Sequence, residues 1–220
     1  VTGFSGVYDG NAHGVTSSSA KGVNNEDLTG LVIANTTYTN VPGGLVHWTF
    51  TNENYANQSG DATVTINKAN ATINVTPYSV TYDGAAHTAT GSATGVNAES
   101  LSGLDLSGTT HTTAGDYATD PWTFTDSTGN YNNTSGSVHD SIAKANAVIT
   151  VTGFSGAYDG SAHGVVSSSA KGVNNEDLTG LVIANTSYTN VPGGLVHWTF
   201  TNQNYADQEG DATITITKAA

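Results

Sequence analysis

The chain has no cysteine, no methionine and no arginine, and only four prolines in 220 residues. Without cysteine there is no disulfide framework and no thiol chemistry. Without arginine there is no bidentate fork for phosphate or carboxylate. The five basic residues are all lysines, set against 18 acidic ones, for a formal charge of −13. Nucleic-acid binding runs on counterion release by clustered cations, so this balance excludes a nucleic-acid partner and disfavours an anionic membrane surface. No apolar run is long enough to span a membrane, so no membrane insertion is expected, and no signal peptide opens the chain. Large aliphatic residues are scarce too: Leu, Ile, Val and Phe total 42 of 220. That scarcity borders on the disordered range, but only 10% of residues are charged and ten Tyr and three Trp are present. The composition reads as folded, β-rich and lean in core.

What is present is repetition. Residues 1–70 and 151–220 align without a gap and are identical at 60 of 70 positions. The segment between them is a diverged copy. Tyr-Asp-Gly recurs at Tyr8, Tyr82 and Tyr158, Trp-Thr-Phe at Trp48, Trp122 and Trp198, and Asn-Tyr at Asn54, Asn130 and Asn204. Lys-Ala closes each copy at Lys68, Lys144 and Lys218. The expected domains are therefore residues 1–69, 70–145 and 146–220, in the pattern A–B–A. Each copy is the size of a small domain. A diverged middle copy also lowers the risk that neighbouring like sequences exchange strands.

Alternation predicts strands. Val46, Trp48 and Phe50 share one face of "LVHWTF", and Ala62, Val64 and Ile66 share one face of "DATVTIN". Ile73 and Val75, then Ile214 and Ile216, repeat the signature. One helical turn is expected at residues 24–28, where Asn24 or Asn25 serves as N-cap and Glu26 and Asp27 suit the first turn. Asp-Gly predicts a type I′ hairpin turn with Tyr8 ending one strand on the core side and His13 near the surface of the next. The joints, with only Ala69 and Asn70 between strands in the first case, lack the Gly/Ser/Pro-rich composition of a floppy tether. The expectation is an all-β array of three β-sandwich, Ig-like domains in an extended rod, with β-grasp-like beads as the alternative. Three beads of about 30 Å give a length on the order of 100 Å.

The chemistry-bearing residues point away from catalysis. Tyr8, Asp9 and His13, with their counterparts, are expected to be a turn rather than a site. Zinc needs three or four converging ligands, and His13 and His47 are the only histidines of the first copy, while His87, His111 and His139 of the second match them only in part. Weak calcium binding by Asp9, Glu26, Asp27 and Asp61 stays open, although no Asp-x-Asp-x-Asp-Gly loop is present. Glu26 with Asp27, and Asp116 with Asp120, are the nearest carboxylate pairs, and neither has apolar surroundings that raise a pKa. No nucleophile elbow occurs, and "NNED" becomes "NAES" at residues 97–100. No catalytic, cofactor or metal residues are therefore assigned. Trp48, Trp122 and Trp198 suit a core better than a sugar platform. Lys68, Lys144 and Lys218 beside asparagines raise an isopeptide cross-link, a covalent modification with a mass signature.

The words in order resemble the YDG/MBG-type tandem repeat domains of bacterial surface adhesins. In the second copy they are Tyr82-Asp83-Gly84, Ala114-Gly115-Asp116-Tyr117, Asn130-Tyr131 and Ser141-Ile142-Ala143-Lys144. Copies one and three depart at "VPGGLVHW", where Leu45 stands in place of the usual Tyr. The resemblance spans the chain. It implies an extracellular, cell-surface stalk or spacer that projects a terminal binding domain, with neighbouring repeats as its partners, a monomeric state and no catalytic residue carried over. The alternative is that the repeats themselves bind glycans or host proteins.

Overall fold

The computed structural model describes residues 1–220, and the chain is nearly all β. Its one helical element is a 3₁₀ turn at Ser107–Thr109, and no helix is long and apolar enough to cross a membrane. The first repeat holds β1 (Thr2–Gly3), β2 (Ser5–Val7), β3 (Val15–Ser17), β4 (Leu31–Ile33), β5 (Gly43–Phe50) and β6 (Gln58–Asn67). The second holds β7 (Thr72–Thr76), β8 (Ser79–Thr81), β9 (Thr90–Thr94), β10 (Ser100–Leu101), β11 (Leu104–Asp105), β12 (Gly115–Phe124) and β13 (Thr134–Ala143). The third holds β14 (Val148–Gly153), β15 (Ser155–Ala157), β16 (Val165–Lys171), β17 (Leu181–Ile183), β18 (Gly193–Phe200) and β19 (Gln208–Thr217).

One topology is written three times. In each copy the first strand is broken after a few residues and serves two sheets. β1 runs antiparallel to β3, whereas β2 runs parallel to β6 at the edge of the sheet β2–β6–β5–β4. The break is Phe4, whose N–H bonds to Gly14 O and whose carbonyl accepts from Thr65 N–H. Likewise β7 joins β9 and β10 while β8 edges β8–β13–β12–β11, and β14 joins β16 while β15 edges β15–β19–β18–β17.

The long hairpin is built by the alternation seen in the sequence. Val46, Val64 and Ile66 are no more than 1% exposed, and Phe50 and Ala62 are buried beside them. Trp48 lies opposite Gly60 in the register, and its ring covers the bare Cα; a Cβ there would come within 2.8 Å of the indole. Gly136 under Trp122 and Gly210 under Trp198 repeat this fit. Val46, Val64 and Ile66 pack with Phe4, Val15 and Ile33, and Val196, Ile214 and Ile216 pack in the same way in the third repeat.

The chain divides into two compact units. One comprises Val1–Thr76, Thr90–Gly108 and Pro121–Ser137, and the other Pro77–Ala89, Thr109–Asp120 and Val138–Ala220. The division runs through the middle repeat. Each unit therefore contains one whole joint between consecutive repeats.

Candidate functional site

The two joints are the same structure made twice. In the first, Ala69 N–H bonds to Asn130 O, and Ala69 O accepts from Asn132 N–H, so the connecting strand is clamped alongside Tyr131. Tyr8 of the Tyr-Asp-Gly loop meets Tyr131 edge-on at 5.5 Å between ring centroids. Asn130 Oδ1 accepts from Val41 N–H, and its amide donates to Asn40. In the second joint Ala145 takes the place of Ala69, Tyr205 that of Tyr131, Tyr82 that of Tyr8, and Asn204 Oδ1 accepts from Ala114 N–H. The apolar fill is also shared. Ala69, Ala71, Ile73 and Tyr8 cover Ala93, Leu101, Leu104, Trp122 and Phe124. Ala145, Ala147, Ile149 and Tyr82 cover Ala170, Leu178, Leu181, Trp198 and Phe200. A chain poor in large aliphatics thus completes a repeat's core with its own entering strand and with the last alanine and loop tyrosine of the repeat before it.

Each joint tyrosine is pinned at its far end. Tyr131 OH donates to Glu99 and accepts from Val96 N–H, and Tyr205 OH does the same with Glu176 and Val173 N–H. Burial, then the carboxylate partner, push the Tyr131 phenol up to about 12, and Tyr205 moves the same way. Glu99 is held below the usual carboxylate range, first by the Tyr131 hydroxyl. This glutamate and the leading asparagine are what "NNED" and "NAES" have in common. The expected helical turn there is instead a tight turn: Asn25, Ala98 and Asn175 take positive φ, and Glu26 Oε2 accepts Asn24 N–H. Asparagine tolerates the left-handed region, so it turns the chain here rather than capping a helix.

The Tyr-Asp-Gly word is not a hairpin. β2 and β3 lie in different sheets, and only Gly10 of the Asp-Gly pair has positive φ. Asp9 Oδ1 closes the loop by accepting Asn11 N–H at 2.9 Å and clasps His13 Nε2 at 2.8 Å. These bonds, Asn11 first, hold the Asp9 carboxyl at about 2; Asp83 and Asp159 are lowered likewise. His13 is not a surface residue: its ring stacks on Phe4 at 3.6 Å and its side chain is 17% exposed. The loop's tyrosine serves the joint, which its position in a predicted turn gave no hint of.

The middle repeat carries a second unusual site. Where the flanking repeats place Val46 with Val64, and Val196 with Ile214, it places Asp120 and Asp140, which are 6% and 0% exposed. Asp140 Oδ1 accepts Tyr78 N–H at 2.8 Å; Oδ2 is buried and finds no donor. Asp120, bonded to His111 Nε2 at 2.9 Å, is the carboxylate that acts on Asp140. Burial and then the neighbouring carboxylate raise the Asp140 pKa, and burial with the Asp140 charge lifts the Tyr78 phenol to about 12. The expectation that Asp116 and Asp120 both lack apolar surroundings is corrected for Asp120. Asp116 is exposed and pairs with His139, and Asp120 does sit in a desolvated setting.

The remaining candidates are dispersed. No three His, Asp or Glu side chains are arranged so that they could hold a metal ion. Asp9 is engaged by His13, Glu26 by Tyr55, Asp27 by Lys21 at 2.5 Å and Asp61 by His47 at 2.9 Å, so the four possible calcium donors face four different partners. Lys144 donates to the main-chain carbonyl of Asn202 at 2.8 Å, which is not the side-chain amide an isopeptide needs. The three tryptophans are half-buried rather than wholly inside, Trp122 and Trp198 against the joint cores. Polar grooves of about 540 and 450 Å³ recur between residues 14–18 and 33–37 and between 164–168 and 183–187; Ser, Thr and Asn line them, with no aromatic ring. Comparison with family models finds no match, and comparison with curated proteins finds none either.

Proposed function

We propose that the chain is a stalk segment of a bacterial surface adhesin, built of three Ig-like β-sandwich repeats, with a mechanical and not a catalytic role. The single observation that carries this reading is the joint: the same clamp of linker alanine, paired tyrosines and bridging asparagine is made at both repeat boundaries, each inside a compact unit. Main-chain hydrogen bonds and shared core fix the direction in which one repeat leaves the last. The Ig-like assignment is favoured over β-grasp by the first strand, which is antiparallel in one sheet and parallel to the last strand in the other, and by the lack of any helix to cross a sheet face. The net charge of −13 keeps such an array soluble and resists collapse on itself.

Small-angle scattering on the 220-residue chain tests the reading. An elongated particle on the order of 100 Å long, unchanged between low and high salt, is expected for three beads in line. A compact particle, or a broad distribution of bent forms, refutes it. A glycan array separates the competing adhesive reading, since a spacer gives no signal.

A further inference from the structure

The two joints are built alike, but the strands that lead into them stand on different cores. Tyr8 follows β2, and its N–H bonds to Asn67 O; Tyr82 follows β8, and its N–H bonds to Ala143 O. In the same way β6 runs on through Lys68 to the clamped Ala69, and β13 through Lys144 to the clamped Ala145. The strands entering the first joint rest on Phe4, Val46 and Val64, all apolar. At the corresponding places before the second joint stand Tyr78, Asp120 and Asp140. Asp140 is thus a buried acid and also a tie. Its Oδ1 takes Tyr78 N–H at 2.8 Å, which fixes the start of β8, and its Oδ2 has no donor. The other ionisable groups around the pair are few. His111 bonds to Asp120 and stacks on Tyr117 at 3.5 Å. His87 lies 5.7 Å from the Tyr78 ring and clasps Asp83, and His139, next to Asp140 in β13, bonds to the exposed Asp116. Lys144 is engaged by Asn202 O and Asp207. When Asp140 loses its proton, a second negative charge stands beside Asp120 in a core where His111 is left to face both.

We infer that this carboxylate pair is a pH-operated latch on the second joint alone: with Asp140 protonated it holds β8 and the end of β13 in place, and with Asp140 ionised it loosens them, and with them Tyr82 and Ala145. The sign follows from the burial and the neighbouring carboxylate that raise Asp140 above its ordinary 3.8: stability falls as pH rises from 3.8 through the raised value. The first joint is the internal control. It has the same loop clasp, Asp9 with His13 for Asp83 with His87, and the same pinned tyrosine, Tyr131 on Glu99 for Tyr205 on Glu176. The pH responses of those contacts therefore cancel when the joints are compared, and what is left is the pair that the first repeat lacks. The inference rests on the stalk reading, in which the joints fix direction, but the two fail separately. A second joint equally firm at every pH overturns the latch and leaves the stalk standing, whereas an array that bends freely while its second joint follows pH overturns only the stalk.

The test is amide hydrogen exchange on the 220-residue chain from about pH 4.5 to about pH 7.5, corrected for the intrinsic exchange rate at each pH. Ala145 N–H and Ala206 N–H report the second joint, and Ala69 N–H and Asn132 N–H the first. Protection at the second joint relative to the first is expected to fall at least about fivefold across the range, the ratio that matches the smallest usual cost of a buried polar atom without a partner. Asp140→Asn, which keeps an oxygen for Tyr78 N–H, should hold the ratio constant. The double variant Asp120→Val, Asp140→Val, which installs the residues of the first copy, should do the same. A ratio that does not change with pH in the unaltered chain, a fall at both joints alike, or a fall that survives in Asp140→Asn each overturns the inference.

Discussion

Replacing Asp140 by asparagine is expected to stabilise the middle repeat, against the usual direction for a fully buried residue. The amide keeps an oxygen for Tyr78 N–H, the 2.8 Å bond that fixes the start of β8. It presents an NH₂ where Oδ2 now finds no donor, next to the Asp120 carboxylate. A hydrogen bond to a charged acceptor contributes about 1.5–3 kcal/mol, and a buried polar atom without a partner costs about 1–3 kcal/mol. With incomplete relaxation we expect a gain of about 1–3 kcal/mol at pH 7. The pH dependence is the sharper signature. The Asp140 carboxyl is raised above its ordinary 3.8 in the folded chain. Between 3.8 and that raised value the folded state keeps a proton that the unfolded chain has released. Stability therefore falls as pH rises through this window, and below it Asp140 contributes nothing. Asp140→Asn removes the dependence, so the difference between the two proteins should be largest above the window and should level off below 3.8. Urea unfolding followed from pH 3.5 to 8 measures the difference, in which the other carboxylates largely cancel. A variant that is less stable at pH 7, or a difference that does not change with pH, refutes the account of a buried Asp140 with a raised pKa.

Three further outcomes follow from the joints and the hairpins. Tyr131→Phe leaves Val96 N–H and Glu99 without their partner in a buried joint and should cost about 1–3 kcal/mol; Tyr55→Phe, at a half-buried ring that makes the same two bonds, should cost less than half as much, with both read by denaturant unfolding. Gly136→Ala sets a Cβ within 2.4 Å of the Trp122 ring and should destabilise by about 1–3 kcal/mol with a red shift in tryptophan emission. The Asp9 carboxyl should titrate near 2 by NMR; its folded value lies below the unfolded one, so its contribution to stability is present above the unfolded value and is lost as pH falls through about 2.

The hairpins were legible in the sequence because a lean core leaves alternation almost unobscured: Ala62, Val64 and Ile66 are the buried face that period two requires. The repeat lengths were legible for the same reason. What the sequence hid is contact between copies. Tyr8 reads as part of its own turn, and nothing local says that its ring will lie on Tyr131, more than a hundred residues later. The paired small residues Ala69 and Ala71 read as punctuation until they are seen under Phe124 and Trp122. The Asp-Gly pair misled in a different way. Its turn chemistry is real, since Gly10 takes φ +77, but the flanking strands belong to two sheets, and turn residues cannot specify which sheet receives the next strand.

The carboxylate pair is hidden in the sequence by an offset. The Tyr-Asp-Gly and Trp-Thr-Phe words of the second copy lie 74 residues beyond those of the first, but its last strand lies 76 beyond, so Asp140 aligns with Val64 only after a two-residue shift in the loop. Once aligned, Val46 and Val64 of the first copy, and Val196 and Ile214 of the third, are matched by two aspartates. A hairpin of the middle repeat that paired into a flanking core would bring Asp120 and Asp140 against Val15 and Ile33, with neither His111 nor Tyr78 N–H to meet them. Burying unpartnered carboxylates is costly enough to disfavour that exchange. The feature that weakens the middle repeat at neutral pH is thus also the one that keeps three nearly interchangeable hairpins in their own places.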